Sequence, residues 1–208
     1  DVPAEKIAFC PHAVDNAFFS REKIASVQFS GDSVQQTGLL GLRGELGIQA
    51  DELVFLFAGK FEEKKQPLQL LEAFLTADTG PATLLFAGSG ELEARLKSVA
   101  PSGGAMAKRV VFLPFQNQSR MPEVYRTGDV LVLPSRGRYE TWGLAVNEAA
   151  CCGLPAIVSS HVGCGPDLIR HGQTGWVFPA GDSKALAAAL QEAVAARGAL
   201  QRSRHLKL

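Results

Sequence analysis

Leu53-Val-Phe-Leu-Phe-Ala58 is an unbroken apolar run closed by Gly59. A strand with one wet face alternates apolar and polar residues, so a continuous run describes a strand covered on both faces. Runs of the same kind recur at 82–87, 109–113, 129–133, 155–159 and 175–178. Between them lie longer stretches of helical character: 67–77, 91–99, 119–127, 140–148, 166–170 and the alanine-rich 183–197. Gly and Pro punctuate the joints, as at Gly80-Pro81 and Gly153-Leu-Pro155. Strands alternating with helices in this way predict an α/β fold: a doubly wound, Rossmann-like parallel sheet of about six strands.

Composition bounds the rest. The chain has 208 residues and is 46% hydrophobic, which suits one large domain with a sizeable core. Lys and Arg total 21, as do Asp and Glu, so no bulk charge draws the protein to nucleic acid, and any anion site must be local. No apolar stretch reaches the roughly 18 residues of a membrane span and no signal-peptide pattern is present, which favours the cytoplasm. The chain opens at Asp1 without a methionine and reads as an excerpt from something longer. Cys10, Cys151, Cys152 and Cys164 are too few and too unevenly placed for a disulfide framework. With His161 they match no usual zinc spacing, so packed, reduced thiols are expected. Residues 1–50 differ in character, with a lead-in strand expected near 2–14 and a glycine-weakened helix near 33–47.

Ligands of open α/β sheets bind outside the carboxyl ends of the strands, and candidate chemistry gathers at those ends. Asp129-Val-Leu-Val-Leu-Pro-Ser135 leads into Glu140-Thr-Trp-Gly-Leu-Ala-Val-Asn-Glu148. Two carboxylates eight positions apart span about two helical turns and share a face if one helix carries both. Such a pair suits a ligand rich in hydroxyls; equally, Glu140 reads as a helix cap and Glu148 as part of a solvated face. Lys60 and Lys65 follow the first strand, where they suit phosphate, although most surface lysines bind nothing. Gly88-Ser-Gly90 follows the second strand and lacks the third glycine of a dinucleotide fingerprint, so a tight strand-to-helix turn is the preferred reading there. Val162-Gly-Cys-Gly-Pro-Asp-Leu-Ile169 either brings a loop close to a ligand or simply turns the chain into a helix.

As an ordered set, Gly59-Lys60 with Lys65, Gly88-x-Gly90, the run 129–135, Glu140 and Glu148, and Glu148-Ala149 followed by Gly153-Leu-Pro155 resemble the group 1 glycosyl transferases. That group, glycosyltransferase family 4, consists of retaining enzymes of the GT-B fold, and the likeness runs over roughly residues 1–196. It implies that the chain is the carboxyl-terminal, donor-binding half of a GT-B enzyme. Phe9 to Asp15 would then be the link from an acceptor-binding amino-terminal domain that is absent here, and 1–50 an interdomain lead-in. Alone, the chain is expected to transfer no sugar.

The resemblance also implies roles. Lys60, which stands where arginine is usual, and Lys65 neutralise the diphosphate of a nucleoside-diphosphate sugar. Glu148 accepts hydrogen bonds from the ribose, Glu140 faces the donor sugar, and the amides of Gly143 and Leu144 touch sugar and phosphate. Thr141-Trp142 replaces a common phenylalanine beside the sugar, and Pro114-Phe115 meets the base. No cofactor and no metal are implied. The acceptor, whether glycan, lipid or small molecule, belongs to the absent domain, as does any peripheral contact with a membrane. A nucleotide-sugar epimerase of the same architecture and a non-enzymatic nucleotide-binding module are the alternatives.

Overall fold

The computed structural model describes residues 12–20, 41–49, 51–101, 108–137 and 140–198. It contains one six-stranded sheet: β1 (Leu53–Ala58), β2 (Ala82–Ala87), β3 (Lys108–Leu113), β4 (Val130–Leu133), β5 (Ala156–Ser159) and β6 (Gly175–Phe178). Spatial order is β3-β2-β1-β4-β5-β6, and every pairing is parallel. The chain therefore works outward from β1 to β3, then returns to the middle and works outward again. The reversal lies between β1 and β4, the position at which doubly wound sheets open a crevice.

Each apolar run serves two cores at once because successive strand side chains point to opposite faces. Phe55 and Phe57 of β1, with Leu84, Phe86, Val132 and Ile157, pack under α3 (Pro67–Thr76), α4 (Glu93–Val99) and α8 (Ser183–Ala195). Val54 and Leu56, with Leu85, Leu131, Leu133 and Val158, pack under α1 (Asn16–Ser20), α2 (Gly41–Glu45), α5 (Met121–Thr127) and α6 (Leu144–Cys151). All six residues of β1 and of β2 are buried, as continuous runs require.

The helices start where local chemistry allows. The side-chain carboxylate of Asp182 accepts from the Ala185 amide at 2.9 Å and caps α8. Pro67 opens α3 at a position whose N–H would be unsatisfied anyway. The residue before it, Gln66, sits in the left-handed region with φ 53° and is the one non-glycine residue to do so among the described residues.

Several boundaries differ from the sequence reading. The helix expected over 140–148 begins only at Leu144, so Glu140 lies in the preceding loop and the two-turn argument for a shared helical face is wrong. Gly143, at φ 98°, is the N-cap residue and sets the later start. Asp129 stands just outside β4 rather than within it, and α7 (Gly165–Leu168) starts one residue early and ends short of 170. Residues 12–14 carry no strand, and the remainder of the expected strand at 2–14 lies outside the described residues, as does most of the helix expected at 33–47. The short helix α1 was not foreseen.

Two predictions test the frame. Asp129 accepts from Arg43 Nη2 at 2.7 Å and from the Val54 amide at 2.8 Å. Asp129→Ala removes the carboxylate partner of a partly buried guanidinium, which keeps its bonds to the Thr127 and Glu52 carbonyls, and leaves the Val54 amide of β1 without its side-chain acceptor; it should cost about 2–4 kcal/mol by urea unfolding. Gln66→Gly relieves a left-handed residue and should stabilise by up to about 1 kcal/mol in the same assay.

Candidate functional site

At the carboxyl ends of β1, β2, β3 and β4 the loops surround a cavity of about 770 Å³. Lys60, Lys65, Gly88, Gly90, Phe115, Glu140, Thr141, Gly143, Leu144 and Glu148, the residues singled out from the sequence, all line it. They come from loops up to 88 residues apart in sequence, counting from Lys60 to Glu148. What the structure adds is how each is held.

The loop after β1 is anchored by Phe61, which is 1% exposed and whose ring lies 5.9 Å from those of both Phe57 and Phe86. Its flanking residues Lys60 and Glu62 line the cavity. A turn of 3-10 helix at Glu63–Lys65 then brings Lys65 round to the same space. Gly88 and Gly90 fit their structural reading: a Cβ on Gly88 would lie 2.0 Å from the Gly59 carbonyl oxygen, and one on Gly90 2.6 Å from that of Phe61. Hydrogen bonds from the Phe61 amide to Ser89 O and from the Leu92 amide to Phe61 O stitch these two loops together at 2.9 and 3.0 Å.

The loop after β4 presents Glu140. Its carboxylate receives an ion pair from Lys65 and a hydrogen bond from Ser135 Oγ at 2.9 Å. Both partners of the ion pair are mostly shielded, at 20% and 14% side-chain exposure. Further along, the Arg136 amide donates to Lys64 O at 2.7 Å and the Gly137 amide to His161 Nδ1 at 2.9 Å. Gly143 then turns the chain into α6; a Cβ there would press on Val162 Cγ1 at 2.7 Å. The helix start, with the amides of its first turn, faces the cavity beside Leu144 and Ala145.

Glu148 sits one turn further along α6. Tyr125 of α5 is buried and donates to Glu148 Oε2 at 2.6 Å. Burial pushes the Glu148 carboxyl above its ordinary value against the opposing hydrogen bonds from Tyr125 and Gln118, and burial together with Glu148 raises the Tyr125 phenol well above its own. Neither capping by Glu140 nor a solvated Glu148 is therefore what forms.

The cations are not idle. Lys60 and Lys64 approach Glu62 at 3.7 and 3.2 Å, and Lys64 holds the Glu62 carboxyl below its ordinary value. Lys60 remains 79% exposed at its side chain, and Phe115, which lines the cavity from the loop after β3, is 71% exposed. Cys164 packs behind Gly143: it is buried, is not part of the cavity lining, and burial lifts its thiol to about 11. Cys151 and Cys152 are half-buried at the end of α6, their thiols against Asn16 Oδ1 and the Phe19 carbonyl at 3.2 and 3.3 Å. Cys10 lies outside the described residues. Among the described residues no three His, Cys, Asp or Glu side chains gather as a metal site.

Residues that the sequence reading passed over include Tyr125, Glu62, Ser135, Asn147 and His12. Tyr125 carried a legible signal, since a tyrosine on an otherwise apolar helix face needs a partner for its hydroxyl. For Asn147 and His12 no local pattern points to the cavity.

The fold is a doubly wound α/β domain with a cavity at its switch point, and comparison with known proteins gives its family. The model of the family "Glycosyl transferases group 1" matches residues 42–205, and the chain belongs to that family. It is 35% identical over 142 residues to an uncharacterized glycosyltransferase of Methanocaldococcus jannaschii, covering 67% of this chain and 35% of that protein. It is 34% identical over 163 residues to the D-inositol 3-phosphate glycosyltransferase of Mycobacteroides abscessus, covering 76% of this chain and 35% of that protein. The Anabaena protein HepE, solved in complex with UDP and glucose, superposes with a TM-score of 0.63 at 19% identity over 83% of this chain and 48% of its own. The six-stranded domain is thus the Rossmann-like domain of GT-B glycosyltransferases, and the chain spans about a third of the length of the curated relatives it matches. No helix among the described residues is long and apolar enough to cross a membrane.

One prediction follows from the buried carboxyl. With its folded value raised above the unfolded one, Glu148 binds more protons in the folded chain, so its contribution to stability declines as pH rises through that window. Glu148→Gln, which keeps an acceptor for Tyr125, should melt higher than the parent at pH 7.5. The advantage should shrink as pH falls to the ordinary carboxylate range, as read by calorimetry.

Proposed function

We propose that this chain is the donor half of a retaining glycosyltransferase of family 4, binding a nucleoside-diphosphate sugar in the cavity at the β1–β4 crevice. The observation that carries the reading is the polarity of that cavity. Lysines line the β1 side, a helix start with two carboxylates lines the β4 side, and the exposed Phe115 stands at the far wall. Such a site matches a ligand with an anionic middle, hydroxyl-rich ends and one flat aromatic group.

In this reading Lys60 and Lys65, with the amides of Gly143 and Leu144, take the diphosphate. Glu148, pre-oriented by Tyr125, accepts from the ribose hydroxyls. Glu140 and Thr141 meet the sugar, and Phe115 the base. Gly88 and Gly90 let the loops close without side chains between them. When the bond from the anomeric carbon to the phosphate oxygen breaks, its electron pair goes to the phosphate; fixed cations and a helix start stabilise that charge, so no bound metal is called for. The acceptor hydroxyl then bonds to the same carbon on the face the phosphate left, and its proton passes to the departing phosphate oxygen. HepE's complex with UDP and glucose supports a uridine nucleotide as the first ligand to try. The acceptor, whether glycan, lipid or small molecule, would be held by another domain, and the present chain alone would not transfer sugar. A cytoplasmic setting belongs to the same proposal.

A calorimetric comparison of UDP, GDP and ADP with their glucose or mannose esters tests this, with EDTA present throughout. One nucleotide series should bind. Glu148→Gln should weaken the bare nucleotide by about tenfold, since hydrogen bonds to a charged group contribute roughly 1.5–3 kcal/mol. Glu140→Gln should spare the bare nucleotide and weaken only the sugar ester. Equal losses in both variants would overturn the division of roles, and dependence on magnesium would overturn the metal-free site.

A further inference from the structure

Taken as a set, the charges lining the cavity cancel. Lys60, Lys64 and Lys65 line it together with Glu62, Glu140 and Glu148, and all three lysines already contact carboxylates. A nucleoside diphosphate ester brings two negative charges into a space whose formal charge is zero. Coulomb attraction from a neutral set is weak, and each lysine that turns to phosphate loosens a carboxylate. Besides these six and the buried phenol of Tyr125, one more titratable side chain lines the cavity: His12.

His12 belongs to the segment that precedes α1, and it is held there by α6 and the loop before it. Its ring stacks on Trp142, with centroids 5.8 Å apart and planes 24° from parallel. Trp142 is 8% exposed, and its indole N–H donates to Asn147 Oδ1 at 2.8 Å. The Asn147 amide in turn donates to the His12 carbonyl at 3.4 Å. One polar side chain on α6 thus satisfies the buried indole and fastens the backbone of the segment whose imidazole lines the cavity. On its own segment the nearby acid is Asp15, which is engaged with the Phe18 amide at 2.9 Å; from α6 and its approach the acids are Glu148 and Glu140.

From this we infer that His12 is a donor-site residue, positioned by Trp142 and Asn147, whose imidazolium supplies the net positive charge that the lysine and glutamate set lacks for a nucleoside-diphosphate sugar. The inference rests on the nucleotide-sugar reading of the cavity. Only the imidazolium form carries the charge, so donor affinity should be higher in acid and lower in base.

Calorimetric titrations with UDP-glucose, GDP-mannose and ADP-glucose, at constant ionic strength from pH 5.5 to 8.5, read this directly, because their esterified phosphates do not titrate there. For the ester that binds, the parent chain should lose about fivefold to tenfold in affinity across the series, as expected for one charge-assisted contact. His12→Gln should bind with the parent's affinity at pH 8.5 and show no slope. Asn147→Leu, which leaves the imidazole present but frees its segment, should flatten the slope while thermal unfolding shows the fold intact. A His12→Gln profile as steep as the parent's, or a parent profile that is flat, overturns the inference and leaves the nucleotide-sugar reading standing. Failure of all three esters to bind at any pH overturns that reading, and the inference with it.

Discussion

Parallel pairing of β1 with β4, two strands separated in sequence by the 71 residues 59–129, is the constraint on which the rest of this molecule depends. The register is short, Phe55 opposite Val130 and Leu56 opposite Leu131. Asp129 extends it: its amide donates to Val54 O at 2.8 Å while its carboxylate takes the Val54 amide at the same distance. Arg43 then reaches from α2 to that carboxylate and to the Thr127 carbonyl. Because the chain leaves β1 in one direction and β4 in the other, the two loops above them diverge, and the crevice is what their divergence opens.

The site is organised before any ligand arrives. Glu140 is fixed by Lys65 and Ser135, and Glu148 by a buried tyrosine. Such pairing keeps side chains near a productive geometry and lowers the ordering cost of binding. It also leaves the charges mutually satisfied, which makes the cavity selective: a ligand must replace the contacts that it displaces. Burial of Glu148 is a local cost to folding that the hydrogen bond from Tyr125 partly offsets, and local conflicts of this kind cluster at functional positions.

Where the sequence was legible, the reason is periodicity. Runs such as 53–58 and 82–87 come out at their expected bounds because a strand buried on both faces has no room for a polar residue. The error at Glu140 has the opposite cause. Nothing between Arg136 and Trp142 marks a helix start, and spacing alone cannot tell a residue on the first turn from one in the loop before Gly143, which has φ 98°. Tyr125 was legible in principle; Asn147 and His12 were not, since they meet only when α1's approach and α6 pack on one side of the sheet.

By itself, then, the sequence determined the six strands, their parallel sheet and the main helices between them and, by the ordered motif set, the family. These are local properties: apolar runs, punctuation and residue order survive in one dimension. Only the tertiary structure decided which charges neutralise one another, which carboxyl is buried and which is paired, and that a histidine near the start of the described chain shares a cavity with lysines about fifty residues on. Those depend on distances of a few ångströms between segments remote in sequence, and Coulomb and hydrogen-bond energies change too steeply with distance to be read from order alone.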